Sequence, residues 1–137
     1  MKSTEKRDFD AASKTWDDNP GRTALAMHVA EAILKAIPVS ENMDAIDYGC
    51  GTGLITLALQ PHVRSITGLD SSAGMLEALR SKAAEREIAN VRTMLVDLES
   101  DSIPDMHADL IVSSMTMHHI SDVSGVFHKF YEMLNPG

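Results

Sequence analysis

The sequence predicts an α/β fold with a doubly wound, mainly parallel sheet. Helix-like and strand-like segments alternate from about residue 22 to residue 134, which is typical of this class. The segment "ADLIVSS" at 108–114 has the continuous apolar run of a strand that is buried on both faces. A glycine-rich stretch, "YGCGTG" at 48–53, joins the first predicted strand to a helix. A chain of 137 residues is long enough for one hydrophobic core, so we expect one domain.

The first elements in chain order are a helix, a strand and a second helix. Polar residues 1–20 precede a helix over 22–37, which Pro38 ends. The segment "MDAIDY" at 43–48 favours a buried strand, and "LITLALQ" at 54–60 favours a short helix that ends before Pro61. The apolar residues that we expect on the inward face of the first helix are Leu25, Val29, Ala32, Ile33 and Ala36.

The later elements continue the alternation. The segments "VRSITGLD" at 63–70 and "NVRTMLVD" at 90–97 predict the second and third strands. Between them, Ser71 or Ser72 can cap a helix that runs through about residue 87. The fourth strand at 108–114 leads to a last helix over about 122–134. The expected inward residues are Met75, Leu76, Leu79 and Ala83 in the earlier helix and Val123, Val126, Phe127, Phe130, Tyr131 and Leu134 in the last one.

Composition and charge narrow the class of partner. The net charge is −8, from 20 acidic and 12 basic residues, and no basic cluster exceeds two adjacent residues. Nucleic-acid binding depends on Lys and Arg contacts to phosphates, so we expect a small-molecule partner and no nucleic acid. No apolar run approaches a membrane span, and the charged N-terminus lacks the apolar region of a signal peptide. With a single cysteine as well, the sequence predicts a cytoplasmic protein.

The glycine loop follows the first strand, where open α/β sheets bind their ligands. Gly49, Gly51 and Gly53 stand at every second position, and glycine permits close approach of the backbone to a ligand. Packing alone is the alternative explanation. A triphosphate-binding loop is excluded because Leu54, and no Lys, follows the last glycine. The dinucleotide pattern G-x-G-x-x-G fits imperfectly, since Leu54 also takes the place of its third glycine.

With its leading acid the loop reads "DYGCGTG" at 47–53, and here the chain resembles the class I S-adenosylmethionine-dependent methyltransferases. The resemblance is strongest to the small-molecule enzymes of the ubiquinone/menaquinone-methylating type. Three later segments follow in the family's order: "GLDSSAGMLEAL" at 68–79, "MLVDLES" at 94–100 and "DLIVSSMTMHHI" at 109–120. The resemblance implies S-adenosyl-L-methionine as the cofactor, a Rossmann-like methyltransferase fold and methyl transfer to a small molecule.

The resemblance also implies a set of cofactor-binding residues. Asp70 would accept the ribose hydroxyls, Met75 would pack on the adenine and Asp97 would bind the adenine amino group. The glycines would approach the methionine end, where Asp47 would fix the loop or the ammonium group. For Cys50, which occupies a position where the family often has cysteine, a packing role is favoured. The full expected set is Asp47, Gly49, Cys50, Gly51, Gly53, Asp70, Ser71, Met75, Asp97, Leu98 and Ser114.

No metal site and no catalytic base can be assigned from the sequence. His118 and His119 are adjacent, so their side chains point in different directions, and no third ligand stands at metal-binding spacing. The stretch "FDAASKTWDDNPGR" at 9–22 resembles the segment that covers the cofactor in this family. Trp16 within it would either cover the site or fix the segment to the core.

The family's sheet has seven strands in the order 3-2-1-4-5-7-6, and this chain resembles its first part only. We expect one domain over 1–137, with an N-terminal lid and helix at 1–38 and a Rossmann-like core at 43–137 that lacks the C-terminal strands. The fourth strand would then have an exposed edge, through which a homo-oligomer could form. The alternatives are a non-catalytic S-adenosylmethionine-binding module and, less favoured, an NAD(P)-dependent oxidoreductase.

Overall fold

The computed structural model describes residues 15–97, 107–113 and 133–134. The helices are α1 (Pro20–Ala36), α2 (Leu54–Leu59) and α3 (Ala73–Glu85), and the strands are β1 (Asp44–Tyr48), β2 (Ser65–Asp70), β3 (Val91–Leu95) and β4 (Leu110–Val112). Two short 3-10 turns, Trp16–Asp18 and Gln60–His62, precede α1 and follow α2. The predicted alternation is confirmed for these elements. All but the last two residues of the helix expected at 122–134 lie outside the described residues.

The four strands form one parallel sheet in the order β3-β2-β1-β4. In the centre, Asp47 of β1 is in register with Gly68 of β2 on one side and Val112 of β4 on the other. This topology confirms the predicted Rossmann-like class. The carboxyl ends of β1, β2 and β3 therefore lie side by side, and the glycine loop leaves the sheet at that edge.

The helices α1 and α3 begin at capping residues, Asn19 and Ser72, whose side chains accept hydrogen bonds from the first N–H groups. In α3 the Ser72 hydroxyl accepts a hydrogen bond from the Met75 N–H at 3.3 Å, as expected for a cap. The predicted inward face of α3 is confirmed, because its buried residues are Met75, Leu76, Leu79 and Ala83. No helix in the described part of the chain is long and apolar enough to cross a membrane.

The predicted inward face of α1 is partly wrong. Ala26 and Ala30 are its buried residues, whereas Leu25 is 41% exposed. Val29 and Ile33 do pack against the core, as predicted, but Ala32 and Ala36 are exposed. The helix is therefore rotated so that two small residues form its buried face, which lets its backbone come close to α2.

The two sheet faces have separate apolar clusters. On one face α1 and α2 cover the sheet, through the cluster Ala26, Ala30, Ala45, Ile55, Leu59, Val63, Ile66, Leu110 and Val112. On the other face Met133 is fully buried against Ile46, Tyr48 and Leu69. Leu134, expected to face inward, is 38% exposed, because it lies beside β4 in a parallel bridge with Ala108. The prediction that Leu134 faces inward is therefore wrong.

Candidate functional site

The glycines of the loop stand at the three positions where its backbone is left-handed. Gly49, Gly51 and Gly53 have φ angles of +71°, +58° and +85°. This left-handed region costs a residue with a side chain roughly 1–2 kcal/mol. Because every second residue of the loop is left-handed, glycine is favoured at all three positions before any ligand is considered.

The N–H groups of the loop bind to the protein itself. Those of Gly49 and Cys50 both donate to the Leu69 carbonyl, at 2.7 and 3.1 Å. The Gly51 N–H donates to Asp70 Oδ2 at 2.9 Å, and the Gly53 N–H donates to the Cys50 carbonyl at 3.0 Å. Dinucleotide-binding loops instead place the pyrophosphate at the loop and the N-terminus of the helix that follows. The N–H groups of Gly49, Cys50, Gly51 and Gly53 are therefore engaged within the protein, which leaves fewer loop donors for a pyrophosphate.

Gly51 and Gly53 differ in what surrounds them. A Cβ on Gly53 would lie 2.2 Å from Leu79 Cδ1, so α3 packs directly against this glycine. A Cβ on Gly51 would meet only Met75 Sδ, at an ordinary contact distance of 3.9 Å. Gly53 is thus required by packing, whereas Gly51 borders space beside Met75 that a ligand can enter.

Asp70 ends β2 and is oriented by two backbone N–H groups. Its Oδ2 accepts from Gly51 and its Oδ1 accepts from Ser72, each at 2.9 Å. A carboxylate has about four lone-pair positions, so this arrangement is compatible with accepting further hydrogen bonds. Asp70 therefore links the glycine loop to the start of α3 and lies at the edge where the ribose is expected.

Asp47 lies beneath the loop and not at its surface. Its side chain is 2% exposed, and the Thr56 hydroxyl of α2 donates to its Oδ2 at 2.6 Å. Burial raises the pKa of Asp47 to about 7; the Thr56 hydrogen bond opposes this shift, and the charge of Asp70 adds to it. The contact to α2 supports the predicted role of Asp47 in fixing the loop.

The Cys50 side chain points into the core. It packs with Leu57, Leu76 and Leu79, and a Cβ on Gly68 would lie 2.7 Å from its sulfur. Burial raises the pKa of the thiol well above its ordinary value, so the thiol stays protonated at neutral pH. These contacts support the packing role, and they leave only the backbone of Cys50 to face a ligand.

The remaining expected residues fall into two groups. Ser71 is half-buried beside Asp70, Met75 is 2% exposed beside Gly51, and Asp97 is half-buried just beyond β3 at the same edge. Leu98, Ser114, His118 and His119 lie outside the described residues, as does the side chain of Trp16. Within the described ranges, no three His, Cys, Asp or Glu side chains are placed to hold a metal ion.

Two sets of contacts at the loop were not expected from the sequence. Asp17 binds both Thr52 of the loop and Lys82 of α3, and Thr56 binds Asp47. The sequence holds no local signal for the Asp17 contacts, because they join residues 35 and 65 positions apart. The Thr56 contact spans nine positions and depends on how α2 packs on β1.

A family model described as "Methyltransferase domain" matches residues 45–137, well over half of the chain. The chain belongs to this methyltransferase family. The matched residues include the glycine loop, Asp70, Met75 and Asp97.

Individual relatives of the methyltransferase family agree with this match. The malonyl-[acyl-carrier protein] O-methyltransferase of Serratia marcescens is 27% identical over 129 residues, covering 94% of this chain and 48% of the relative. The demethylmenaquinone methyltransferase of Geobacillus sp. (strain WCH70) is 29% identical over 110 residues, covering 78% of this chain and 47% of the relative. The chain thus spans about half the length of these curated relatives.

A solved structure shows the same fold. The crystal structure of the YcgJ protein from Bacillus subtilis is 30% identical and superposes with a TM-score of 0.73, covering 79% of this chain and 46% of that protein. The first half of a methyltransferase fold is therefore present in this chain, including the edge that carries the glycine loop.

The site residues fit the family's cofactor. The space beside Gly51, the oriented Asp70 carboxylate and Asp97 all lie at the carboxyl edge of the sheet. A nucleoside needs hydrogen-bond acceptors at separated points, which Asp70 and Asp97 can supply, and the 2% exposed Met75 lies next to Gly51. The residues expected to bind the cofactor thus lie at the ends of β1, β2 and β3 and in the loops that follow them.

Proposed function

We propose that this chain binds S-adenosyl-L-methionine and takes part in methyl transfer to a small molecule in the cytoplasm. The observation that carries the proposal is the loop geometry: Gly51 borders open space beside Met75, and Asp70 holds the Gly51 N–H. The name of the Geobacillus relative, a demethylmenaquinone methyltransferase, supports a small-molecule acceptor, and the name of the Serratia relative gives a malonyl group carried by an acyl carrier protein. The single cysteine and the acidic net charge support the location and the exclusion of nucleic acid.

The cofactor, when bound, would supply a sulfonium methyl group that is activated for displacement. The residues of this chain would hold it: Gly51 allows close approach, Asp70 accepts from the ribose and Asp97 accepts from the adenine amino group. Rate enhancement in such a reaction comes first from orientation and from exclusion of water. A base is needed only where the acceptor must lose a proton, and none is assigned.

The proposal is tested by calorimetry on the whole chain and on the variant Gly51→Asn. Asparagine tolerates a positive φ better than other residues with side chains, so we expect the variant to fold. Its side chain would enter the space beside Met75, and we expect S-adenosylhomocysteine to bind at least tenfold more weakly. The matched control is Glu87→Asn, which places the same residue at a φ of +54° away from the loop and should leave binding unchanged.

Each outcome has a distinct meaning. Equal affinity in the wild type and in Gly51→Asn would remove the glycine loop as the binding site. Binding of NADH in place of S-adenosylhomocysteine would favour the oxidoreductase alternative. Binding of S-adenosylhomocysteine without methyl transfer to any of a panel of small molecules would favour the non-catalytic binding module.

A further inference from the structure

Asp17 joins three separate parts of the chain through one carboxylate. Its Oδ1 accepts a hydrogen bond from the Thr52 hydroxyl at 2.5 Å, and its Oδ2 accepts from Lys82 Nζ at 2.6 Å. Thr52 lies in the glycine loop and Lys82 lies in α3, whereas Asp17 belongs to the 3-10 turn before α1. We call this arrangement of Asp17, Thr52 and Lys82 the Asp17 bridge.

The Asp17 bridge is partly shielded from water. Thr52 is 2% exposed, and the side chains of Lys82 and Asp17 are 18% and 35% exposed. Ion pairs on an open surface contribute little because water and salt screen them. A pair whose side chains are both mostly shielded, and whose carboxylate also accepts a hydroxyl hydrogen bond, is held more firmly.

The elements around the bridge connect it to the ligand edge. Thr52 stands between Gly51, which borders the ligand space, and Gly53, which packs on Leu79. Lys82 is on the same helix as Met75, whose sulfur lies on the other side of that space. The Asp17 bridge therefore connects the glycine loop, which contains Gly51, to α3, which carries Met75.

The start of α1 fixes the position of Asp17. Asn19 Oδ1 accepts from the N–H groups of Gly21 and Arg22, at 2.9 and 3.3 Å, and so caps the helix. The Asp18 N–H donates to the Thr15 carbonyl at 3.1 Å, which closes the 3-10 turn. Asp17 thus contacts Thr52 of the glycine loop from a 3-10 turn that directly precedes the capped start of α1.

We propose that Asp17 is a positioning residue for the cofactor site. By holding Thr52 and Lys82 together, it keeps the glycine loop and α3 at the separation that the ligand requires. Because the ligand and the bridge stabilise the same loop position, each strengthens the other, and this coupling is reciprocal. The inference rests on the proposed function, since the ligand in question is S-adenosylmethionine or its demethylated product.

The test compares S-adenosylhomocysteine binding by Asp17→Ala, Asp17→Asn and the matched control Asp18→Ala. We expect about fivefold to twentyfold weaker binding in Asp17→Ala, the range for loss of hydrogen bonds to a charged group that is partly exposed. Asp17→Asn can still accept from Thr52 and should recover part of the affinity. Asp18→Ala alters the neighbouring carboxylate of the same turn, so binding should stay at the wild-type value.

Hydrogen exchange provides a readout that general destabilisation would not reproduce. In the wild type, S-adenosylhomocysteine should slow amide exchange in residues 15–19, although the ligand is expected at the loop. Lys82→Met should remove this ligand-dependent protection. In the double variant that combines Asp17→Ala with Lys82→Met, the loss of affinity should be smaller than the product of the two single losses.

The outcomes separate the bridge from the proposed function. Failure of the wild type to bind S-adenosylhomocysteine would overturn the proposed function. Wild-type binding together with unchanged affinity and protection in Asp17→Ala would overturn the bridge alone. If Asp17→Ala does not fold, the affinity of Asp17→Asn and the amide protection in Lys82→Met are compared with the wild type. Unchanged affinity together with unchanged protection contradicts the bridge. Reduced affinity together with reduced protection supports it.

Discussion

Asp47 and Asp70 are two carboxylates at one edge of the sheet, and their surroundings give them different chemistry. Asp70 accepts hydrogen bonds from two backbone N–H groups. Asp47 is buried and accepts from one hydroxyl, and burial raises its pKa to about 7. The charge of Asp70 adds to this shift, because repulsion between two carboxylates disfavours the charged form of Asp47.

The raised pKa of Asp47 predicts how stability depends on pH. Below about pH 4 the carboxyl is protonated in both the folded and the unfolded chain. Between about pH 4 and pH 7 only the folded chain keeps the proton, so the free energy of unfolding falls as the pH rises through this window. Asp47→Asn removes this dependence, and we expect it to be roughly 2–4 kcal/mol more stable than the wild type at pH 8.

The measurement is urea unfolding of both proteins at several pH values, and the difference between them should vanish near pH 4. The matched control is Asp44→Asn, also on β1. Its pKa is lowered to about 2, mainly by the hydrogen bond from Arg64, so this variant should lose stability at neutral pH. A constant difference between Asp47→Asn and the wild type across the range would show that the pKa of Asp47 is the same in the folded and the unfolded chain.

At the scale of helices and strands, the spacing of apolar residues predicted the buried face of a helix only where polar residues separate the apolar ones. The α3 face was predicted correctly because Met75, Leu76, Leu79 and Ala83 are separated by polar residues such as Glu77, Arg80 and Lys82. In α1 the run "ALAM" at 24–27 is apolar on several sides, so periodicity alone could not decide its rotation. The close packing of α1 on α2 favours the small residues Ala26 and Ala30 on the buried face.

Some features of the candidate site could likewise be predicted from the local sequence, and others depend on contacts between distant segments. The glycine loop and the carboxylate at the end of β2 follow from the order of residues along the chain, and both were predicted, whereas the left-handed conformation of the three glycines was seen only in the structure. The difference between Gly51 and Gly53 depends on where Leu79 of α3 lies, and the Asp17 bridge depends on contacts between distant segments. Such contacts have no signature in one sequence, because they arise only when the elements pack.

The packing of α3 on the loop predicts a coupling between Gly68 and Cys50. A Cβ on Gly68 would lie 2.7 Å from Cys50 Sγ and 3.0 Å from Leu79 Cδ2. Overpacking of this kind costs about 1–3 kcal/mol, so Gly68→Ala should destabilise the fold. Cys50→Ala removes the nearer atom, and we expect Gly68→Ala to cost at least about 0.5 kcal/mol less in that background.

Chemical unfolding of the two single variants and the double variant measures this coupling. The control is Gly74→Ala, which makes the same change at a half-buried residue near the start of α3 that is not among the described neighbours of Cys50. Additive effects of Gly68→Ala and Cys50→Ala would show that the thiol does not fill the space beside β2, and would reopen a ligand-facing role for it.

For the whole molecule, the outer edge of β4 is the feature with the widest consequence. Backbone groups alternate in direction along a strand. The Asp109 N–H donates to the Asp44 carbonyl towards β1, at 2.8 Å, whereas the Ala108 N–H donates to the Met133 carbonyl on the opposite side, at 2.9 Å. By this alternation the N–H of Ile111 points to β1, and those of Leu110 and Val112 point away from it. Within the described ranges, no strand pairs with that outer side beyond the bridge at Ala108.

An unpaired edge of this kind is a template for pairing with another chain, so we expect the 137-residue chain to self-associate through β4. Proline removes one N–H and is tolerated where that group points away from the sheet. Val112→Pro should therefore shift the protein towards the monomer in size-exclusion chromatography with light scattering, while binding of S-adenosylhomocysteine is retained. Ile111→Pro is the matched control, because it removes a donor to β1 and should disrupt the sheet itself. A wild-type chain that remains monomeric at the highest attainable concentration would contradict the expectation and show that β4 is covered within the chain.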